Sequence, residues 1–549
     1  MHKFLLLLVC PLLITCASVP IVHQEPPKQP DPALRRCLLL TTNDSESNFD
    51  GVQRADGKVT YFWPLARVAA AKKTALAEHP DGVLLLEGGD VLQGRFLERK
   101  DGDRARAVAD NWPLYERAGY DLGVLGNHEF DNGPKVTRKA LQALQKYQIL
   151  AANIEGAGTQ LDPQDAAHPL GLYGTTAVRT CGGVKIGFFG LITPSVTTIS
   201  DFGDVKLRPL ETTATQQIAA LKQQGAEVIV LLSHLGVDDD KQLAADVRGI
   251  DVIVGGHSHT RLDQAIHVGQ TWITQTGARF ERLGRMDLAV QADGKLDAKA
   301  THYELEKLEN HEPDPEIRAQ TEKLMAELVP EKVIGNRTFA WDVMDVTHSR
   351  YAKVATRAVA QYAAKVSGKP VDAGLLNNGG FRTHTIYPPG PVTNLEVSAI
   401  HPFRNHVVLV TLTGQQLHDV LEHACGQAQN AHHGANSTLW GMEMRCDLSR
   451  PAAQYQYADL RPVAIAKPGE RAQDIRVGGK PLDLKQKYTI ATLDYLARGG
   501  SSYLPLQLGE RKCLDGKPFV QEDKNACGET ALLADVITGA VTAGELEKP

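Results

Sequence analysis

Carboxylate, imidazole and amide side chains gather at one kind of place in this chain, the point where a short apolar run stops. Asp44 and Glu46 follow "CLLLTT" in "TTNDSES", and Asp90 ends "GVLLLEGGD". Asn127 and His128 lie in "GNHEFDNG", His234 ends "EVIVLLSH", and His257 and His259 share "GGHSHT". Each stretch alone has an ordinary reading. Asn, Asp and Ser form turns by bonding nearby backbone, and a single histidine after a strand is usually a satisfied structural residue. Together they exceed what exposed turns require. Mixed carboxylate, imidazole and amide donors suit a hard or borderline divalent ion such as Mn, Zn, Mg, Fe or Co. Asp44, Glu46, Asp90, Asn127, His234, His257 and His259 outnumber the ligands of one tetrahedral zinc site. They match two ions that share a carboxylate. Two ions roughly 3.5–4 Å apart activate a water and clamp both oxygens of an in-line phosphoryl displacement, so phosphoester hydrolysis is the first chemistry these residues suggest.

The elements that must position them are legible between residues 36 and about 290. The apolar runs alternate with helix-like stretches such as "PLARVAAAKKTALAEH" and "TTATQQIAALKQQG". Continuous apolar strands alternating with helices indicate an α/β domain with buried strands, and such folds place their sites just after strand ends. The glycines before Asp90, Asn127 and His257 are expected to let the backbone turn sharply and aim each side chain inward. "PDPEIRAQTEKLMAELV", residues 313 to 329, has a proline suited to a helix start and another following its end, and reads as a linker helix. A second α/β-type region begins near residue 333.

The 549 residues are too many for one core. Hydrophobic residues make up 42% and charged residues 23%, as in globular chains, and a net charge of -6 gives no signal for polymeric nucleic acid. "FLLLLVCPLLI" near the N-terminus is too short to span a bilayer and reads as an export signal. "LITC" looks like a bacterial lipobox, with Cys16 the residue that would carry a lipid anchor, although Thr15 departs from its usual small residue. Pro-rich "HQEPPKQPDP" follows as a tether. The expected divisions are an export signal over 1–16, a tether over 17–35, a first domain over 36–310, a linker helix over 311–332 and a second domain over 333–549. The expected location is periplasmic or elsewhere in the cell envelope. Six cysteines remain beyond the signal, and proximity in sequence points to Cys425–Cys446 and Cys513–Cys527 pairs.

The order D-x-E, G-G-D, G-N-H-E-F-D, S-H-L-G, G-G-H-S-H resembles the calcineurin-like metallophosphoesterases, and most closely the exported bacterial 5'-nucleotidase and UDP-sugar hydrolase family, from about 36 to 540. The resemblance implies a four-layer α/β/β/α sandwich followed by a C-terminal α/β substrate-binding domain. It implies that Asp90 bridges two divalent ions, one completed by Asp44, Glu46 and His259 and the other by Asn127, His234 and His257. It makes His128 a catalytic residue over the scissile phosphate, with Asp131 orienting its ring. The family's usual first motif is D-x-H. Glu46 stands where that histidine is expected, and its ligation would tilt the site toward Mn, Mg or Fe.

"LLNNGGFR" and "HPFRNHVVLVTLTG" resemble the family's substrate-binding segments. Arg382 matches a phosphate-binding arginine and Asn377 a substrate-site asparagine. Members of the family stack the base between two aromatic rings. Tyr495 supplies one, but the other position falls on Leu439, and Trp440 could replace it only if the strand slipped by one residue. Ser501 stands where an Asp usually binds sugar hydroxyls. The arginines that usually add phosphate contacts before the first helix are missing, with Arg350 or Lys353 as substitutes. The expected reaction is hydrolysis of nucleoside 5'-monophosphates. The alternatives are another small phosphoester (a nucleotide diphosphosugar or cyclic nucleotide) or a non-catalytic anchored binding protein. Related thiosulfohydrolases share the architecture but differ around the third motif.

Overall fold

A computed structural model describes residues 34–55, 58–162, 173–383, 385–426, 437–458, 461–521, 527 and 532–547. The expected export signal, Cys16 and nearly all of the tether lie outside the described residues.

Twelve strands build the first domain's two main sheets. In chain order they are β1 (Arg35–Thr42), β2 (Val83–Glu87), β3 (Leu122–Val124), β4 (Gln148–Leu150), β5 (Thr176–Cys181), β6 (Val184–Ile192), β7 (Val228–His234), β8 (Val252–Val254), β9 (Ile266–Val268), β10 (Thr271–Thr274), β11 (Leu283–Val290) and β12 (His302–Glu306). One sheet runs β12-β11-β1-β2-β3-β4 and the other β9-β10-β8-β7-β6-β5. The strands β1 to β4 are parallel to one another, as are β6, β7, β8 and β10.

Strand alternation sorts each apolar run between two cores. Cys37 and Leu39 face the other sheet and pack with Ile186, Phe188, Val230 and Leu232. Leu38 and Leu40 point the opposite way, onto Leu65 and Val68 of helix α1 (Pro64–Glu78). On the second sheet Phe189 and Leu231 turn outward onto Ile218 and Leu221 of helix α2 (Leu210–Gln223). The result is a four-layer α/β/β/α sandwich, and burial on both faces explains why the strands read as continuous apolar runs. A Cys37–Cys181 disulfide links β1 to β5. The expected Cys425–Cys446 and Cys513–Cys527 pairs are also formed.

Helix α3 (Pro315–Met325) starts where Asp314 accepts the backbone N–H groups of Glu316 and Ile317. Its Ile317 and the following Leu328 pack into the first domain's core, so the segment read as a linker is docked there. Beyond it, helix α4 (Arg350–Ser367) packs against the second domain's main sheet. The strands of that sheet are β13 (Ala373–Asn377), β14 (Val407–Thr413), β15 (Ser437–Trp440), β16 (Lys487–Leu493) and β17 (Glu510–Cys513), in the spatial order β15-β13-β16-β14-β17. Among the described residues, no helix is long and apolar enough to cross a membrane.

Candidate active site

Parallel pairing puts the C-terminal ends of β1, β2 and β3 along one edge of their sheet, and those of β7 and β8 along the matching edge of the other. The loop carrying Asp44 is stitched to the loop carrying Asp90 by Asp44 N–H to Gly89 O (2.9 Å) and Glu46 N–H to Asp90 O (3.0 Å). Buried Glu129, which sequence reasoning passed over, accepts backbone N–H groups from Gly126, Asp90, Val91 and Leu92. It therefore fixes the Asp90 loop against the Asn127 loop. Left-handed backbone recurs where the ligating types sit, at Asp44, Glu46, Asp90, His257 and His259.

The glycines act in two ways. Gly89 turns with φ +91°, as expected. Gly126 does not adopt positive φ; it is needed for space, because a Cβ there would lie 2.2 Å from Asp90 Oδ1.

Asp90, His234 and His257 bring one ligand atom each within 4.8 Å of one another. His234 Nδ1 donates to Gly88 O at 2.7 Å, which leaves Nε2 aimed at Asp90 Oδ2 (3.0 Å) and Asn127 Oδ1 (3.3 Å). A ring nitrogen fixed by a backbone carbonyl is the usual support of a metal-binding histidine. Burial opposes protonation of His234, but Asp90 beside it pushes its pKa up to about 10. A cation would therefore displace a proton on binding. Asp44 is buried and accepts the His257 backbone N–H, while His259 Nε2 lies 3.3 Å from Asp44 Oδ1.

Beside this cluster, His128 Nδ1 donates to Asp131 Oδ2 at 2.7 Å, and Ser200 Oγ donates to Asp131 Oδ1 at 3.1 Å. Burial lowers the His128 pKa, but Asp131 and Asp90 outweigh it and raise the value to about 9. Gln93 Nε2 is 3.0 Å from His128 Nδ1, and the Phe403 ring from the second domain lies over the His128 ring with centroids 5.8 Å apart. Gln93 was not anticipated, and Phe403 belongs to the "HPFRN" segment already matched to the family's substrate-binding motif, without a stated role.

Arg382 reaches this point from the second domain, with Nη2 3.2 Å from His128 Nε2 and a hydrogen bond to Glu46 Oε1. The other Glu46 oxygen is held by Arg279 through Nε (2.6 Å) and Nη2 (2.6 Å). Burial works to raise the Glu46 pKa, but Arg279 and Arg382, then His259 and His128, hold it well below the usual carboxylate value. Arg279 is a further residue that sequence reasoning missed.

The remaining substrate candidates belong to the second domain. Asn377 is buried, and its Oδ1 has no hydrogen-bond partner among the described residues. The Tyr495 hydroxyl donates to Thr198 O across the domain boundary (3.2 Å) and accepts from Ser501 N–H (2.9 Å), with Ser501 Oγ 3.0 Å away. Trp440 lies opposite Gly374 and Leu439 opposite Leu375. Directly opposed residues share a face, and a Cβ on Gly374 would meet Thr356 and Ala360 of α4. Trp440 is therefore on the α4 face, and the register offers no slip that would make it a second stacking ring. Arg350 lies over the Phe339 ring at 4.0 Å and Lys353 is exposed, so neither joins the site.

Two families match the chain in tandem: "Calcineurin-like phosphoesterase" over residues 61–261 and "5'-nucleotidase, C-terminal domain" over 333–507. The trifunctional nucleotide phosphoesterase protein YfkN of Bacillus subtilis is 24% identical over 88% of this chain, which spans only 33% of that protein's length. A probable 5'-nucleotidase of Treponema pallidum is 26% identical over 77% of this chain and 79% of its own. The crystal structure of a 5'-nucleotidase precursor from Thermus thermophilus shares the fold, with a TM-score of 0.75, 24% identity and coverage of 92% and 96% of the two chains. With both domains matched in order, the chain belongs to the family that joins a calcineurin-like phosphoesterase domain to a 5'-nucleotidase C-terminal domain.

Proposed function

We propose that this protein hydrolyses phosphate monoesters of nucleosides, releasing nucleoside and phosphate, with divalent ions held at the strand ends. The observation that carries the reading is the meeting of Asp90, His234 and His257 with His128 of the same domain and Arg382 of the other. In this reading Asn127, His234, His257 and Asp90 would hold one ion, and Asp44 and His259 would help hold a second beside them. Such ions supply Lewis-acid polarisation of the phosphoryl group.

The chain's own side chains do the rest. Asp131 holds the Nδ1 proton of His128 and so directs Nε2 at the phosphoryl group. A protonated His128 stabilises charge there and gives its proton to the leaving oxygen. Arg382 offers a guanidinium fork to phosphoryl oxygens. Asn377, with an unpartnered buried Oδ1, suits a substrate N–H or hydroxyl, and Tyr495 offers a ring for one face of the base.

Leu439 and the inward register of Trp440 favour a second reading, in which a base clamped on one side only widens the range to nucleotide diphosphosugars or cyclic nucleotides. Placement in the cell envelope, with Cys16 as lipid anchor, belongs to the same proposal, and three disulfides suit an oxidising compartment. Phosphate release from a panel of nucleoside 5'-monophosphates, diphosphosugars and cyclic nucleotides, run with Mn, Zn and Mg in parallel, tests the reading. Turnover should be greatest on the monophosphates, and no phosphate from any substrate with any ion would defeat it.

A further inference from the structure

We infer that Glu46 is not a metal ligand but the anchor of an arginine bridge, so that the chain binds one ion tightly and the second weakly. The inference rests on the metallophosphoesterase reading above. The two sets of donors differ in how they fit an ion. At Asp90, His234 and His257 the ligand atoms converge, and Nε2 of His234 is presented by its Nδ1 bond to Gly88 O. At Asp44, Glu46 and His259 they do not converge equally. Among the described residues these three do not form such a three-ligand group, although His259 Nε2 lies 3.3 Å from Asp44 Oδ1 and 3.9 Å from Glu46 Oε1.

The Glu46 carboxylate is already paired with two guanidinium groups. Oε2 accepts the Nε–H of Arg279, with Arg279 Nη2 also 2.6 Å away, and Oε1 accepts from Arg382. An ion taking Glu46 as a ligand would either sit against two guanidinium groups or displace one and leave it unpaired. Both consequences oppose binding.

Arg279 is built into this role. Its backbone N–H donates to Asp44 O (2.8 Å), its carbonyl accepts from Asn48 Nδ2 (3.1 Å), and its φ is +53°. It is therefore locked to the loop that carries Asp44 and Glu46. A neutral histidine at position 46 would offer these two arginines no anion.

The test is the number of ions per chain, read without any turnover. Metal-stripped protein is titrated with Mn²⁺, and separately with Zn²⁺, by calorimetry, and ions retained after gel filtration are counted by elemental analysis. The wild-type chain should bind one ion tightly and a second at least about tenfold more weakly. Glu46→His should tighten the second site by about tenfold or more. Arg279→Ala, which releases Oε2 at a partly exposed position, should shift it in the same direction. Two ions of equal affinity in the wild type, with one lost in Glu46→Gln, would overturn the inference and leave the phosphoesterase reading standing. No tight ion in any of these proteins would overturn both.

Discussion

Arg382 and Glu46 lie 336 positions apart in the chain and on different domains, yet they form one hydrogen-bonded ion pair beside His128. The pair brings a guanidinium from the second domain to the catalytic edge of the first. Arg382→Ala should lower kcat/KM for phosphate release by about 10²–10³, the usual loss when one donor to a charged transition state is removed. Arg382→Lys should recover little, because an ammonium cannot present the same fork. Steady-state kinetics with metal content measured on the same samples checks this. Activity within about twofold of wild type in Arg382→Ala would refute the assignment.

His128 should separate chemistry from metal binding. His128→Ala is expected to lower kcat by about 10²–10⁴ while ions per chain stay unchanged. Asp131→Asn should give a smaller fall, since an amide can still contact Nδ1 but no longer favours the protonated ring. Elemental analysis beside kinetics decides the matter, and loss of ions in His128→Ala would make it a ligand instead.

Two buried histidines of the second domain predict acid sensitivity. Burial pushes His401 down to about 3, against a smaller opposing pull from the Gly380 backbone, and His423 down to about 4 against its bond to Ser501 O. With folded-state pKa values below the unfolded one of about 6.5, both rings stay neutral in the fold while the unfolded chain takes up protons. Stability present above about pH 6.5 is therefore lost as pH falls toward 4, by about 2 kcal/mol per ring at pH 5. Thermal melts from pH 7.5 to 5 should show a falling Tm, with a shallower fall in His401→Gln. A flat Tm over that range would contradict the burial of these rings as neutral groups.

Gly126→Ala places a methyl group 2.2 Å from Asp90 Oδ1. Asp90 or the backbone must move, so metal content and activity should fall together while the far-UV spectrum remains that of a folded α/β protein. Retention of full metal binding would mean that the Asp90 loop yields at little cost.

Much of the site was legible because its residues follow strand ends, and strand ends are marked by where apolar runs stop. The continuous apolar runs marked strands buried on both faces, while the sandwich itself came from the resemblance; a run apolar on both faces does not say that Leu39 goes between the sheets and Leu38 under α1. What was not legible arrives by tertiary contact. Arg279 carries no local signal, since it meets Glu46 only when separate segments converge, and the motif that contains Phe403 did not say that its ring would meet His128. Glu46 stood out as a departure from its family's pattern, but the two arginines that claim its oxygens did not. Gly126 was expected for its freedom of turn and is needed for its missing Cβ. Proximity in sequence found two disulfides and could not suggest Cys37–Cys181, whose half-cystines are 144 positions apart.

The left-handed backbone at Asp44, Glu46, Asp90, His257 and His259 sets a trade between endurance and activity. Non-glycine residues held in that region cost about 1–3 kcal/mol each, and the folded chain sustains them only because the surrounding core overdetermines their shape. A replacement that relaxes one of them, such as glycine at position 44, removes a proposed ligand and a strain together. Selection for heat resistance alone would drift toward chains that outlast this one and do nothing, while selection for turnover keeps the molecule below the stability its scaffold could reach.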